Sequence, residues 1–166
     1  MTHLHKAIII VAALGLSACT NPGFLNGTGP GAGGANSTDL ASDPHSPAYF
    51  QQTVGDRVLF AVDTSTLTPE GRATLTAQAG WLLANPEYAA IIEGHADEQG
   101  TREYNLALGA RRANAVSEFL ISQGVAANRL RTLTYGKERP LEVCSAEECY
   151  AKNRRAVTVI SAGAGV

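Results

Sequence analysis

A short apolar run, Ile91–Ile92, leads into a polar loop bounded by Gly94 and Gly100, and a helical pattern follows as far as Arg111 and Arg112. This passage of strand, loop and helix start constrains the fold most, because it fixes two rigid elements around one short connection. Loops held in this way are where binding groups are usually placed. The loop carries an acid, Asp97, and the helix carries a guanidinium, Arg112. One fixed acid and one fixed base suit a ligand that is itself a zwitterion.

The flanking sequence extends the pattern. Asp56 to Asp63 reads as a strand, with β-branched and aromatic residues ahead of polar turn material. Thr68-Pro69-Glu70 reads as a helix start: a capping hydroxyl, a proline at the first helical position and an acid in the first turn. Leu75, Ala79, Leu82 and Leu83 repeat at helical spacing, and Asn85-Pro86 ends that helix. Tyr88–Glu93 is a second strand, Tyr104–Gln123 a second helix closed by Gly124, Arg129–Tyr135 a third strand and Arg155–Ile160 a fourth. Gly136–Tyr150 reads as a long loop. The order implies an α/β (α+β) sandwich: a small mixed four-stranded sheet with two main helices on one face. On the second helix Leu106, Ala110, Ala113, Val116, Leu120 and Ile121 share the face expected to meet the sheet. Arg111 points away from it. Arg112 lies at its border, either solvated or burying its stem to present its head in a cleft.

The first fifty residues differ in kind. Ala7 to Leu14 is an apolar run of signal-peptide length, too short to span a membrane. Leu16-Ser17-Ala18-Cys19 follows and resembles the lipobox of bacterial lipoproteins, in which the cysteine is acylated and becomes the new N-terminus. Thr20 after it, rather than Asp, suggests the outer membrane. Asn21 to Pro47 is rich in Gly, Pro, Ser and Thr without a period, and reads as a tether unable to bury enough apolar surface to order itself. The expected organisation is a lipoprotein signal peptide over 1–18, a lipidated Cys19 with its tether over 19–48, and a folded domain over 49–162.

Other chemistry is sparse. The net charge of −2 argues against a nucleic-acid binder driven by bulk electrostatics. His95 and Asp97 alternate in the loop, but no nucleophile completes a triad, and His95 is expected to cap the loop by hydrogen bonds. Cys144, Cys149 and His95 would supply three ligands of a zinc site; neither a metal nor a cofactor is expected. In an oxidising compartment Cys144 and Cys149 can close a disulfide, the alternative being two free thiols. Asn153-Arg154-Arg155 is either a charged sheet edge or part of the Asp97 cleft.

Four stretches then stand together: Ile92 to Asn105, Leu108 to Val116, Tyr135 to Pro140 and Asn153 to Val157. In order and content they resemble the peptidoglycan-associated lipoproteins, whose domain is of the OmpA C-terminal type. The resemblance implies a non-catalytic domain that binds the cell-wall peptide through meso-diaminopimelate. It implies that Asp97 and Arg112 hold the ligand, with further contacts near Phe60, Asn105 and Leu108. It implies the Tol–Pal system, with TolB and other Tol proteins as partners, and an outer-membrane anchor with the domain in the periplasm. Phe60-Ala61 departs from the family's usual Phe-Asp, which removes an acid at residue 61. The cysteine pair is not a general family feature. Two alternatives stand beside this reading: an OmpA-like lipoprotein outside the Tol–Pal system, and a cell-wall hydrolase using Asp97 or Glu98 as an acid.

Overall fold

The computed structural model describes residues 42–162. The signal segment, Cys19 and the tether as far as Ala41 lie outside the described residues. Ordered contacts begin earlier than Tyr49. The Trp81 indole N–H, which needs a partner when buried, donates to the Pro44 carbonyl at 2.7 Å. The Ser46 hydroxyl caps helix α1 (Pro47–Tyr49), which runs on as a π-helical turn over Phe50–Gly55. Phe50 packs on Trp81 with ring centroids 4.9 Å apart. The end of the expected tether is therefore fastened to the domain.

Strand β1 (Arg57–Leu59) is much shorter than the expected Asp56–Asp63. The chain turns away after Phe60, and Asp63 adopts a left-handed φ of 56°. Helix α2 (Pro69–Ala84) starts as read, with Thr68 Oγ accepting from the Gly71 N–H at 3.0 Å. Strand β2 (Tyr88–His95) leads through the loop to helix α3 (Arg102–Ser122), capped by Thr101. Gly124 ends α3 with a φ of 101°, the expected role. Strand β3 (Leu130–Gly136) follows a 3-10 turn at Ala127–Arg129. The expected long loop contains a short helix, α4 (Glu147–Asn153), just before strand β4 (Arg155–Ala162).

The sheet order is β1-β4-β2-β3, with β2 and β3 parallel and the other pairs antiparallel. This is the expected mixed four-stranded sheet. Helices α2 and α3 close its inner face over Val58, Ala90, Ile92 and Ala156, together with Leu75, Leu82, Val116 and Leu120. The outer face keeps Leu59, Leu133 and Val159 substantially exposed.

Helix α3 is rotated from the orientation that apolar spacing predicts. Asn105, Leu108, Gly109, Arg112, Ala113, Val116 and Leu120 are buried, whereas Ile121 is 42% exposed. The cause is a backbone contact between β2 and α3. A Cβ on Gly94 would collide with the Gly109 carbonyl oxygen, and one on Gly109 with Thr134 Oγ1. Two glycines thus set the crossing and turn Arg112 inward. Gly94→Ala should cost about 2–4 kcal/mol, because backbone rather than a movable side chain must give way. Urea denaturation measures this, and a loss below about 0.5 kcal/mol would show that the crossing is not set here.

Candidate functional site

The loop after β2, the turn after β1 and the start of α3 enclose a cleft of about 330 Å³. Its walls include Val62, Asp63, Asp97, Gln99, Gly100, Tyr104, Asn105 and Leu108. Three of the five expected ligand contacts, Asp97, Asn105 and Leu108, line it. The Ala96 N–H donates to the Gly136 carbonyl at 2.8 Å, which prolongs β2–β3 pairing to the residue before Asp97. Asn105 Nδ2 donates to the Gln99 carbonyl at 2.7 Å, and Lys137 Nζ to the Gly100 carbonyl at 2.7 Å. The acid therefore sits on a braced loop.

Asp97 is buried and doubly held. Its Oδ1 accepts the Gln99 N–H at 3.2 Å, and its Oδ2 accepts Arg154 Nη1 at 3.2 Å. A carboxylate offers about four lone-pair sites, so acceptor capacity remains for a ligand.

Arg112 is fully buried, at 0% exposure. Its Nε donates to the Thr64 carbonyl at 2.8 Å, Nη1 to that of His95 at 2.9 Å, and Nη2 to that of Ala61 at 3.2 Å. The guanidinium also lies over the Phe60 ring, 5.1 Å from its centroid. It is neither a solvated helix arginine nor an open cleft wall: it clamps the turn after β1 to the end of β2. Three of its five N–H groups meet these carbonyls, which leaves two. Burial pulls its pKa down to about 10, with Asp97 the strongest opposing charge, so it is cationic at neutral pH.

Phe60 forms the bed beneath Arg112 and does not line the cleft. Residue 61 carries no acid, but two residues on Asp63 lines the cleft and accepts a hydrogen bond from the Tyr104 hydroxyl. Sequence reading carried the strand through Asp63 and so missed it; an Asp entering a polar Thr/Ser stretch, a residue tolerant of left-handed φ, was the available signal. Arg154, left open between edge and cleft, belongs behind Asp97. Arg155 instead bonds the Asn153 and Arg139 carbonyls. Arg111 is exposed as expected, yet its guanidinium lies 6.0 Å from the Tyr104 ring centroid on the cleft rim. Cys144 and Cys149 form a disulfide, with Cα atoms 5.9 Å apart.

His95 does not cap the loop. Its ring is buried against Tyr135, and neither ring nitrogen has a hydrogen-bond partner among the described residues. It pairs with no catalytic group at Asp97. Burial, then Arg155 and Arg139, lower its pKa to about 4. A histidine held neutral in the fold and basic when unfolded contributes stability above its unfolded pKa of about 6.5, and that contribution is lost as pH falls toward 4. The loss should be at most about 3 kcal/mol, because Glu93 Oε2, 3.7 Å from Nε2, favours the protonated ring. Urea denaturation between pH 7 and pH 4 should show a shallower fall in His95→Asn than in the unmodified protein; equal slopes would discount this group.

Fold and cleft together define a class: a small sheet-and-helix module with an acid in the loop before one helix and a buried guanidinium carried by that helix. The OmpA family matches residues 59–154. The chain is 48% identical over 162 residues to the peptidoglycan-associated lipoprotein of Rhizobium meliloti (strain 1021), covering 95% of this chain and 88% of that one. The crystal structure of the peptidoglycan-associated lipoprotein from Burkholderia pseudomallei superposes with a TM-score of 0.65 at 36% identity, over 74% of this chain and all of that one. The C-terminal domain of Helicobacter pylori MotB shares the fold alone, with a TM-score of 0.61 at 22% identity, over 66% of this chain and 86% of that one. The chain belongs to the OmpA family and, within it, to the peptidoglycan-associated lipoproteins.

Proposed function

We propose that this protein is an outer-membrane lipoprotein, anchored through acylated Cys19, whose periplasmic domain holds the cell wall without catalysing a reaction on it. The ligand is the wall peptide, bound through meso-diaminopimelate, whose side chain ends in an ammonium and a carboxylate on one carbon. Asp97 takes the ammonium. Arg112 answers the carboxylate from behind the Ala61–Thr64 turn, and movement of that turn would open its fork to the ligand. Asn105 and Leu108 line the cleft, and Phe60 keeps the guanidinium in place. Residues 1–18 serve as the signal peptide and the tether lets the domain reach the wall. The same domain works within the Tol–Pal system, with TolB and other Tol proteins as partners, in envelope integrity and cell division.

The observation that carries this reading is an acid with spare acceptor capacity in the cleft and a buried cation just behind the turn that walls it. Charge-assisted bonds to both ends of a zwitterion recognise it more strongly than either neutral contact would. The test is co-sedimentation of the mature protein, in detergent, with purified sacculi. The protein should pellet with them, be displaced by a diaminopimelate-containing peptide and release no soluble fragments. Failure to pellet would refute wall binding, and soluble muropeptides would make the protein a hydrolase.

A further inference from the structure

Behind Asp97 lies a chain of three charges. Arg154 is buried and spends its guanidinium on three partners: Nε on the Phe60 carbonyl at 3.2 Å, Nη1 on Asp97 Oδ2 at 3.2 Å, and Nη2 on Glu147 Oε1. Nη1 also lies 3.4 Å from Glu147 Oε2, so both Glu147 oxygens face the fork. With Asp97 alone, Arg154 would form a closed pair of zero net charge. A ligand ammonium arriving at such a pair meets an acid already neutralised, with a guanidinium close behind it. Glu147 returns one negative charge to the group. Its hydrogen bond is the largest influence raising the Arg154 pKa, ahead of that from Asp97.

Glu147 is held where it is by the chain around it. It opens α4 inside the ring closed by Cys144 and Cys149, and the Cys149 N–H donates to the Ala146 carbonyl at 3.1 Å. The same ring grips the Asp97 loop at the next residue. Ser145 Oγ donates to Glu98 Oε1 at 3.1 Å, and the Tyr150 hydroxyl, just past the ring, donates to it at 2.8 Å. The ring thus reaches Asp97 through Arg154 and Glu98 directly. A seven-residue helix with no side-chain cap has little intrinsic stability to fix Glu147 unaided.

We propose that Glu147, presented by the Cys144–Cys149 ring, is a positioning residue for the ligand ammonium: it takes up the charge of Arg154 and leaves Asp97 anionic toward the cleft. The proposal rests on the zwitterion reading of the cleft given above. It makes the disulfide, absent from the general family pattern, part of ligand affinity and not only of loop stability.

The test is calorimetry of the full mature chain, in detergent, against an L-Ala–γ-D-Glu–meso-diaminopimelate tripeptide. Thiol titration of the unfolded wild type should find neither Cys144 nor Cys149 free. Glu147 is 63% exposed in its side chain, so the effect of its charge is modest. Glu147→Gln should weaken binding roughly three- to tenfold at about 0.05 M salt, and the gap should close to less than about twofold near 0.5 M, where surface charges are screened. The Cys144→Ser/Cys149→Ser double variant should lose a similar amount, and adding Glu147→Gln to it should cost no more. Melting curves confirm that each variant is folded. Folded Glu147→Gln binding as wild type, or a loss independent of salt, overturns the proposal, as do titratable thiols or losses that simply add. If the wild type itself does not bind the tripeptide, the cleft reading falls and this proposal with it; if it binds and Glu147→Gln is silent, the proposal alone falls.

Discussion

Arg112→Ala should destabilise the domain by about 3–5 kcal/mol, the cost of breaking a buried hydrogen-bonded charge network. The carbonyls of Ala61 and Thr64, from the turn after β1, and of His95, from the end of β2, converge on one guanidinium. Removing it strips each of its charged donor and leaves a void over Phe60. A buried acceptor without a donor costs about 1–3 kcal/mol. Lysine cannot substitute in full: its three donors radiate from one nitrogen, whereas the guanidinium spreads its donors over a planar fork. Arg112→Lys should therefore recover only part of the loss. Urea denaturation at neutral pH decides this. Midpoints for Arg112→Ala within error of wild type would mean that the clamp contributes nothing. It follows that weak ligand binding by Arg112→Ala cannot by itself identify a ligand contact, since the turn that walls the cleft is lost with the clamp.

This dual role explains which parts of the site could be read from sequence. The β2–loop–α3 passage is legible because its determinants are local, a β-branched run and glycines at both ends of the loop, although the Thr101 cap starts the helix at Arg102, two residues before the Tyr104 expected. The succession of four strands along the chain follows from the same kind of signal, but not their order in the sheet. Nor does the rotation of α3. Apolar spacing places Ile121 inward and Arg112 at a border, but the close approach of Gly94 and Gly109 outweighs the hydrophobic count. That approach depends on two residues distant in sequence, and no single-helix pattern contains it. Arginine burial is equally hidden, because what permits it is three carbonyls from elsewhere in the chain. Helix α4 escapes detection for a third reason. It is short, lacks a side-chain cap and starts inside a disulfide ring, so local propensity is not what orders it.

Asp97→Ala separates binding from folding, and its expected effect on the ligand is the larger. Asp97 holds two partners, Gln99 N–H and Arg154, against the three backbone anchors of Arg112. When Asp97 is lost, Arg154 keeps both Glu147 and the Phe60 carbonyl, and Arg112 keeps its three carbonyls while losing its strongest opposing charge. The domain should stay folded, at reduced stability. The ligand ammonium, by contrast, loses its acid. Truncating one partner of a desolvated charge pair costs about 2–5 kcal/mol, so affinity for the diaminopimelate tripeptide should fall by tens-fold to thousands-fold. The reciprocal change is made on the ligand: acetylating the side-chain amino group removes the same charge, so the acetylated peptide should bind wild type about as weakly as the unmodified peptide binds Asp97→Ala. Arg131→Ala, exposed on β3 away from the cleft lining, is the control and should bind as wild type. Calorimetry gives the affinities and circular dichroism the folded state. Should folded Asp97→Ala bind the tripeptide as tightly as wild type, Asp97 does not hold the ammonium, even if the protein sediments with the wall.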